Sequence, residues 1–288
     1  ASICVQFIWG RVSVVNKSQP LLKDLLAVLD EIAAPSLAEP WDNVGLMVGD
    51  PGQEISGVLV ALDASEAIIV EAESHGCNVV VTHHPLIFKP LSAIRTDQVT
   101  GRLLARALAR QMAAVGCHTN LDKVSGGVND ALALGLNLQN CRVLAVDSGG
   151  ADEIGFGRLG DLPSAVAFPE FIDLLLSVLD LPAVRVAGIV PEQLLSIAVC
   201  GGSGSELAVT AMEAGAQVFI TGEVKHSTAR WAEDAGFCVI DAGHFSTEKL
   251  VVPGLVSAIA KGCGDRGFAL HVRGTEVQAS PFQYHFRK

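Results

Sequence analysis

Five residues of this 288-residue chain have the types and spacing to hold divalent metal: His83, His84, Asp122, His244 and Glu248. Adjacent histidines on an extended strand point to opposite faces. A strand end that turns at Pro85 can nevertheless aim both imidazoles at one cavity. His244 and Glu248 are four residues apart, so a helix beginning at His244 places them on one face with Cβ atoms about 5–6 Å apart. Asp122 adds a hard oxygen from a neighbouring strand end. Imidazole and carboxylate suit zinc, iron, manganese and similar ions. Five protein ligands exceed what one hydrolytic metal with an open position uses, whereas two metals sharing carboxylates use them readily. Taken singly, a His or Asp at a strand end more often caps or packs. The dinuclear reading rests on five of them falling at equivalent ends of a repeated unit.

That repeated unit supplies the scaffold. Val58–Leu62 reads as a strand, Ser65–Ser74 as a helix, His75-Gly76 as a turn with His75 as the helix cap, and Asn78–Thr82 as a strand. The pattern recurs as Ile197–Cys200, Gly201–Gly204, Ser205–Ala214 and Gln217–Thr221. At an offset of 139, Gly76 falls on Gly215, Val79–Val81 on Val218–Ile220, and Thr82 on Thr221. Each half adds a helix (Thr100–Met112; Ser227–Ala235), a strand (Ala113–His118; Phe237–Asp241) and a further helix (Gly127–Leu134; Thr247–Ala260). Alternating strands and helices predict an α/β fold of two similar domains from an internal duplication, 17–145 and 146–288, with strand ends converging on a dinuclear metal site. In such sheets ligands bind outside the carboxyl ends of the strands, where Thr82-His83-His84-Pro85, His118–Asp122, Thr221-Gly222-Glu223 and Asp241–His244 fall.

Glu223, His226 and His118 lie near the predicted ligands, suited either to orienting them or to proton transfer; ordinary structural roles fit as well. Gly201-Gly202-Ser203-Gly204 follows a strand and precedes a helix, as a phosphate cradle would. It lacks the Gly-x-Gly-x-x-Gly spacing and a Walker lysine, and a tight turn serves equally. Ser125-Gly126-Gly127 offers a second possible anion approach near Asp122. His271 and His285 belong to a late polar segment, where Phe268–Val272 reads as an edge strand without a readable partner.

Half of the residues are hydrophobic and mean hydropathy is +0.41, so the chain buries a large core and is not disordered. Charges interrupt every apolar run before the ~20 residues of a spanning helix, and Ala1–Val15 lacks the layout of a signal peptide. Seven scattered cysteines without a Cys-x-x-Cys pair fit reduced core thiols in a cytoplasmic protein. The net charge of −11 disfavours nucleic acid, though two divalent cations would make the site locally attractive to an anionic small molecule.

Trp41–Leu46, Thr82–Leu86, Thr119–Asp122, Thr221–Glu223, Asp241–His244 and Glu248, spanning residues 20–262, resemble the NIF-three-like family, many of whose members are named GTP cyclohydrolase 1 type 2 homologues. The resemblance implies two similar α/β domains around a dinuclear metal site, assembled as a toroidal homohexamer. It gives ligand roles to His83, His84, Asp122, His244 and Glu248. Longer members carry an inserted domain between the halves, for which Val146–Leu194 is too short. The expected function is a metal-dependent hydrolase activating water for a small-molecule substrate, nucleotide or otherwise phosphate-bearing. A metal-binding scaffold without turnover is the alternative, and ligand type alone leaves a redox role for two irons open.

Overall fold

The computed structural model describes residues 19–147 and 153–287; the opening stretch Ala1–Val15, read above as unlike a signal peptide, lies outside them. In chain order the elements are α1 (Leu22–Ile32), β1 (Gly45–Val48), β2 (Gly57–Ala61), α2 (Glu66–Ser74), β3 (Val79–Thr82), α3 (Val99–Ala109), β4 (Ala113–Gly116), α4 (Thr119–Lys123), α5 (Val128–Gly135), β5 (Gln139–Val146) and β6 (Gly155–Ala167). There follow α6 (Phe168–Leu179), β7 (Arg185–Ala187), β8 (Gln193–Cys200), α7 (Ala208–Glu213), β9 (Val218–Thr221), α8 (His226–Ala235), β10 (Cys238–Asp241), α9 (His244–Glu248), α10 (Val251–Asp265) and β11 (His271–Gly274).

Two sheets result, with orders β1-β4-β3-β2-β11 and β5-β6-β8-β9-β10-β7. The parallel triplet β2-β3-β4 corresponds to β8-β9-β10, and each triplet carries an antiparallel strand on its last member, β1 on β4 and β7 on β10. The sheets differ at the opposite edge: β11 lies parallel to β2, and β6 lies antiparallel to β8.

Burial on both faces explains why the central strands read as unbroken apolar runs. Val58, Val60, Val79 and Val81 face α1 and α10, through Leu25, Val28, Leu255 and Ile259. Leu59, Ala61 and Val80 face α2 and α3, through Ile68, Ala72 and Leu104. The second sheet repeats this layering, with Ile197, Val218 and Ile240 on Phe171, Leu175 and Leu132, and Phe219 and Val239 on Ala208, Ala211 and Ala232. Each fully buried aliphatic side chain contributes about 1.5–3 kcal/mol relative to exposure, so the strand ends stand on rigid supports.

Several sequence expectations are corrected. The single helix expected over Thr247–Ala260 is two: α9 ends at Glu248 and α10 starts at Val251. Ser205–Ala214 divides into a 3-10 turn (Ser205–Leu207) and α7. The third strand of the first half stops at Gly116, two residues short of His118. The late edge strand runs over His271–Gly274, and its partner is β2. His75 caps α2 as expected, while Ser65 opens it by accepting from the Ile68 N–H. β5 lies in the second sheet, whereas α10 and β11 return to the first.

Candidate metal centre

His83 and His84 follow β3 directly, where the backbone still accepts support from β2: the His83 and His84 N–H groups donate to Ala61 and Leu62 carbonyls at 3.2 and 2.7 Å. His118 and Asp122 come from the turn after β4, with Asp122 on α4 rather than on the strand. From the second half, α9 presents His244 and Glu248 one turn apart, their Nε2 and Oε1 separated by 3.2 Å. Glu248 also lies 3.5 Å from His83 Nε2 and 3.0 Å from His84 Nε2. His84 and His244 approach to 3.2 Å between Nε2 atoms, and Asp122 Oδ1 is 3.6 Å from His83 Nε2. The structure therefore brings together all five sequence-predicted ligands.

Each imidazole is anchored through the nitrogen away from the centre. His83 Nδ1 donates to the Cys117 carbonyl at 2.9 Å, His84 Nδ1 to Asp63 at 2.8 Å, His244 Nδ1 to Glu223 at 2.9 Å and His118 Nδ1 to Asp42 at 2.8 Å. Donation at Nδ1 leaves Nε2 of a neutral ring as a lone pair. At His83, His84 and His244 these lone pairs face one another and a carboxylate at close range, an arrangement that repels itself unless a cation sits among them.

Two buried atoms make the same point. His83 Nε2 and Asp122 Oδ1 have no hydrogen-bond partner among the described residues, and leaving such groups unsatisfied costs about 1–3 kcal/mol each. A divalent cation would satisfy both, so the donor set fits metal. Two groups place their ligand atoms within 4.8 Å of one another: His83, His84 and His118, and His84, His244 and Glu248.

In the protein alone, protons supply that positive charge, because the two rings nearest Glu248 hold them more tightly than a free imidazole does. Burial pulls His84 down, but Asp63 and Glu248 outweigh it and push its pKa up to about 10. The hydrogen bond from Glu248 leads in raising His244 to about 9, against burial. Burial pushes Asp122 up to about 7. For Glu248, burial is overcome by His83, His244 and His84, which hold it well below the carboxylate range.

Glycines make the close approach possible. A Cβ on Gly202 would stand 2.1 Å from Glu248 Oε1, and this residue also has φ of +63°. Three of the loop's four N–H groups are already used: Gly201 donates to Asn129, Gly202 to Thr247 and Gly204 to Thr221. The loop thus acts as the tight turn, clearing space for a ligand, rather than as a phosphate cradle. Gly126 likewise donates to Asp130.

Of the three further candidates, Glu223 orients His244, and His118 joins the buried histidines as a third imidazole of the first group. His226 opens α8 on the surface, and no hydrogen bond or ion pair joins it to the cluster among the described residues. Asp42 and Asp63 were missed as orienting groups. Asp42 also accepts from the Thr119 N–H and hydroxyl. Asp42 stands beside Trp41 within Trp41–Leu46, and Asp63 just past the first strand of the repeat, at a carboxyl end like those of the ligands. A cleft of about 520 Å³ opens beside Glu223 and His244, with Arg185, Lys225, Phe282 and Tyr284 on its walls.

A two-sheet α/β fold with histidines and carboxylates gathered at strand ends defines a class of metal-binding proteins. The comparisons place the chain within it. It belongs to the Duf34/NIF3 (NGG1p interacting factor 3) family, which matches residues 20–281. It is 36% identical over 230 residues to a Clostridium perfringens protein named GTP cyclohydrolase 1 type 2 homolog, covering 79% of this chain and 86% of that one. A hypothetical protein of Staphylococcus aureus superposes with a TM-score of 0.86 at 29% identity, over 92% of this chain and 99% of that one. Reduced HcgD from Methanocaldococcus jannaschii does so with a TM-score of 0.73 at 28% identity, over 89% and 98%.

Proposed function

We propose that the chain is a metal-dependent hydrolase carrying two divalent ions, zinc, iron, manganese or similar, held by His83, His84, Asp122, His244 and Glu248 with His118 as a sixth donor. The observation that carries this reading is the convergence of anchored imidazoles, each with its free nitrogen inward, on Glu248 and on the unsatisfied Asp122 oxygen. When bound, such ions polarise a substrate oxygen and bring the pKa of water toward neutrality. Glu248 neutralises and spaces the histidines of both halves. Glu223 fixes the His244 tautomer, and Asp42 does the same for His118, leaving its Nε2 as the sixth donor. His226, joined to this network by no hydrogen bond or ion pair among the described residues, serves only a substrate that reaches it from the cleft.

The substrate is a small molecule entering the cleft beside Glu223, and the name of the Clostridium relative makes guanine-nucleotide ring opening the first reaction to try. Origin of the halves by duplication, assembly as a toroidal homohexamer and residence in the cytoplasm complete the proposal. Support for these comes from the shared strand order and the family. Among the described residues no helix is long and apolar enough to cross a membrane.

A metal-loaded docking module without turnover is the second reading. Its specific support is an exposed apolar rim of Trp41, Phe88, Leu91 and Ile94, of which Trp41 and Phe88 pack edge-on against His118. Protein purified anaerobically should contain about two metals per chain and hydrolyse at least one nucleotide, phosphoester or amide in a metal-by-substrate screen. That activity should vanish on chelation and in Glu248→Ala. Full loading without any turnover overturns the hydrolase and favours the docking module.

A further inference from the structure

We propose that Gln278, 194 residues beyond His84 in the chain, is a positioning residue for His84; the proposal rests on the metal-centre reading above. His84 owes its tautomer to Asp63 Oδ1. The Asp63 side chain is half exposed and sits past the end of β2, where a free carboxylate turns toward water. Its other oxygen, Oδ2, accepts from Gln278 Nε2 at 2.7 Å, while Gln278 Oε1 accepts from the neighbouring Leu62 N–H at 2.7 Å. The amide thus bridges backbone and carboxylate across two adjacent residues, and Asp63 is held between two side-chain partners, one of them the imidazole.

Gln278 is itself delivered by a built path. β11 pairs with β2 from His271–Gly57 to Gly274–Val60. The ladder continues as Thr275 N–H donates to the Val60 carbonyl at 2.9 Å. Glu71, buried at 6% exposure, then takes the Thr275 hydroxyl and the Glu276 N–H. Residues 275–278 therefore follow β2 to its carboxyl end and place the amide where Asp63 needs a second donor. Glu223, which orients His244 as Asp63 orients His84, has no such clamp among the described residues.

Loss of the clamp releases Asp63 to other rotamers and weakens its hold on the His84 ring, which lowers metal affinity without removing a ligand. A carboxylate that orients a ligating histidine, as Asp63 does, is worth about 10–100-fold in metal affinity, and Gln278, one hydrogen bond further out, acts at the lower end of that range. The test titrates Co(II) into metal-free protein, with the ligand-field spectrum as readout, and follows the His84 Nδ1 proton by NMR. In Gln278→Leu we expect affinity to fall about tenfold, stoichiometry to persist, and the His84 Nδ1 proton to exchange faster. Gln278→Glu retains the acceptor for Leu62 but cannot donate to Asp63 when ionised, and should show the same change in the His84 proton. Thr275→Val loosens the same segment at Glu71 and should leave both readouts as in the wild type.

Wild-type affinity and an unchanged His84 proton in both Gln278 variants overturn the positioning role while leaving the metal centre intact. Equal weakening in Thr275→Val overturns it in favour of general support by the segment. Wild-type protein that binds no Co(II) overturns the metal centre itself, and the positioning role with it.

Discussion

His84 and His244 meet at the centre from opposite halves, yet their surroundings differ. The first half buries His83, which is 1% exposed and held by a backbone carbonyl, and clamps Asp63, the partner of the partly exposed His84, with Gln278. The second half sets His244 on an open rim, a third exposed, with the exposed Glu223 as its orienting partner. Glu248 departs from that pattern, being contributed by the second half but buried at 3%, because Gly202 leaves room for it. Sheets that share the order of four strands thus deliver a rigid and an accessible side of one site. The depth of each ligand follows from what covers it, not from its place in the repeat.

The largest test of this contrast removes the group that touches both halves. Glu248→Ala should lower metal content from about two ions per chain to fewer than one, measured by elemental analysis. Gly202→Ala, whose methyl would collide with Glu248, should do nearly the same although it removes no ligand. Full loading of Gly202→Ala would show that Glu248 need not occupy its present position. A smaller effect compares the orienting carboxylates. Asp63→Ala should weaken metal binding by about tenfold or more, and Glu223→Ala by less, because the latter partner is unclamped. Equal losses by calorimetric titration would abolish the distinction between a rigid and an accessible side.

The smallest effect concerns pH and the outer helices. Arg106 on α3 pairs with Glu66 and Glu73 on α2, each at 3.1 Å, whereas α7 and α8 share no ion pair among the described residues. The hydrogen bond and charge of Arg106 hold Glu73 below its ordinary pKa of 4.5. A lowered folded-state value means that the contribution is present above the unfolded pKa and is lost as pH falls through the folded one. Hydrogen exchange should therefore rise in α2 and α3 more than in α7 and α8 as pH falls below about 4.5. In Glu73→Gln this difference should shrink, and a uniform response of all four helices would contradict it.

The central strands were legible because burial on both faces writes continuous apolar runs, as at Val58–Leu62 and Gln217–Thr221, and the metal ligands because they interrupt that pattern at strand ends. β5, β6 and β7 were not, since their partly exposed residues carry no single period. The pairing of β11 with β2 was hidden for another reason: its register depends on α10 crossing back to the first core, a long-range fact that local spacing does not encode. Asp63 and Asp42 escaped because an orienting carboxylate resembles any polar loop residue until the imidazole it supports is placed beside it.

That return of β11 also bears on how the chain is made. The second sheet draws on residues 139–241 and can close while later residues are still within the ribosome. The first cannot: Gly57–Val60 must wait for His271–Gly274 to emerge, and α1 must wait for α10. Contacts of such separation form late. The half translated first is therefore completed last, and a nascent chain stalled before residue 251 carries an uncovered apolar face on α1 and β2, a natural substrate for chaperones.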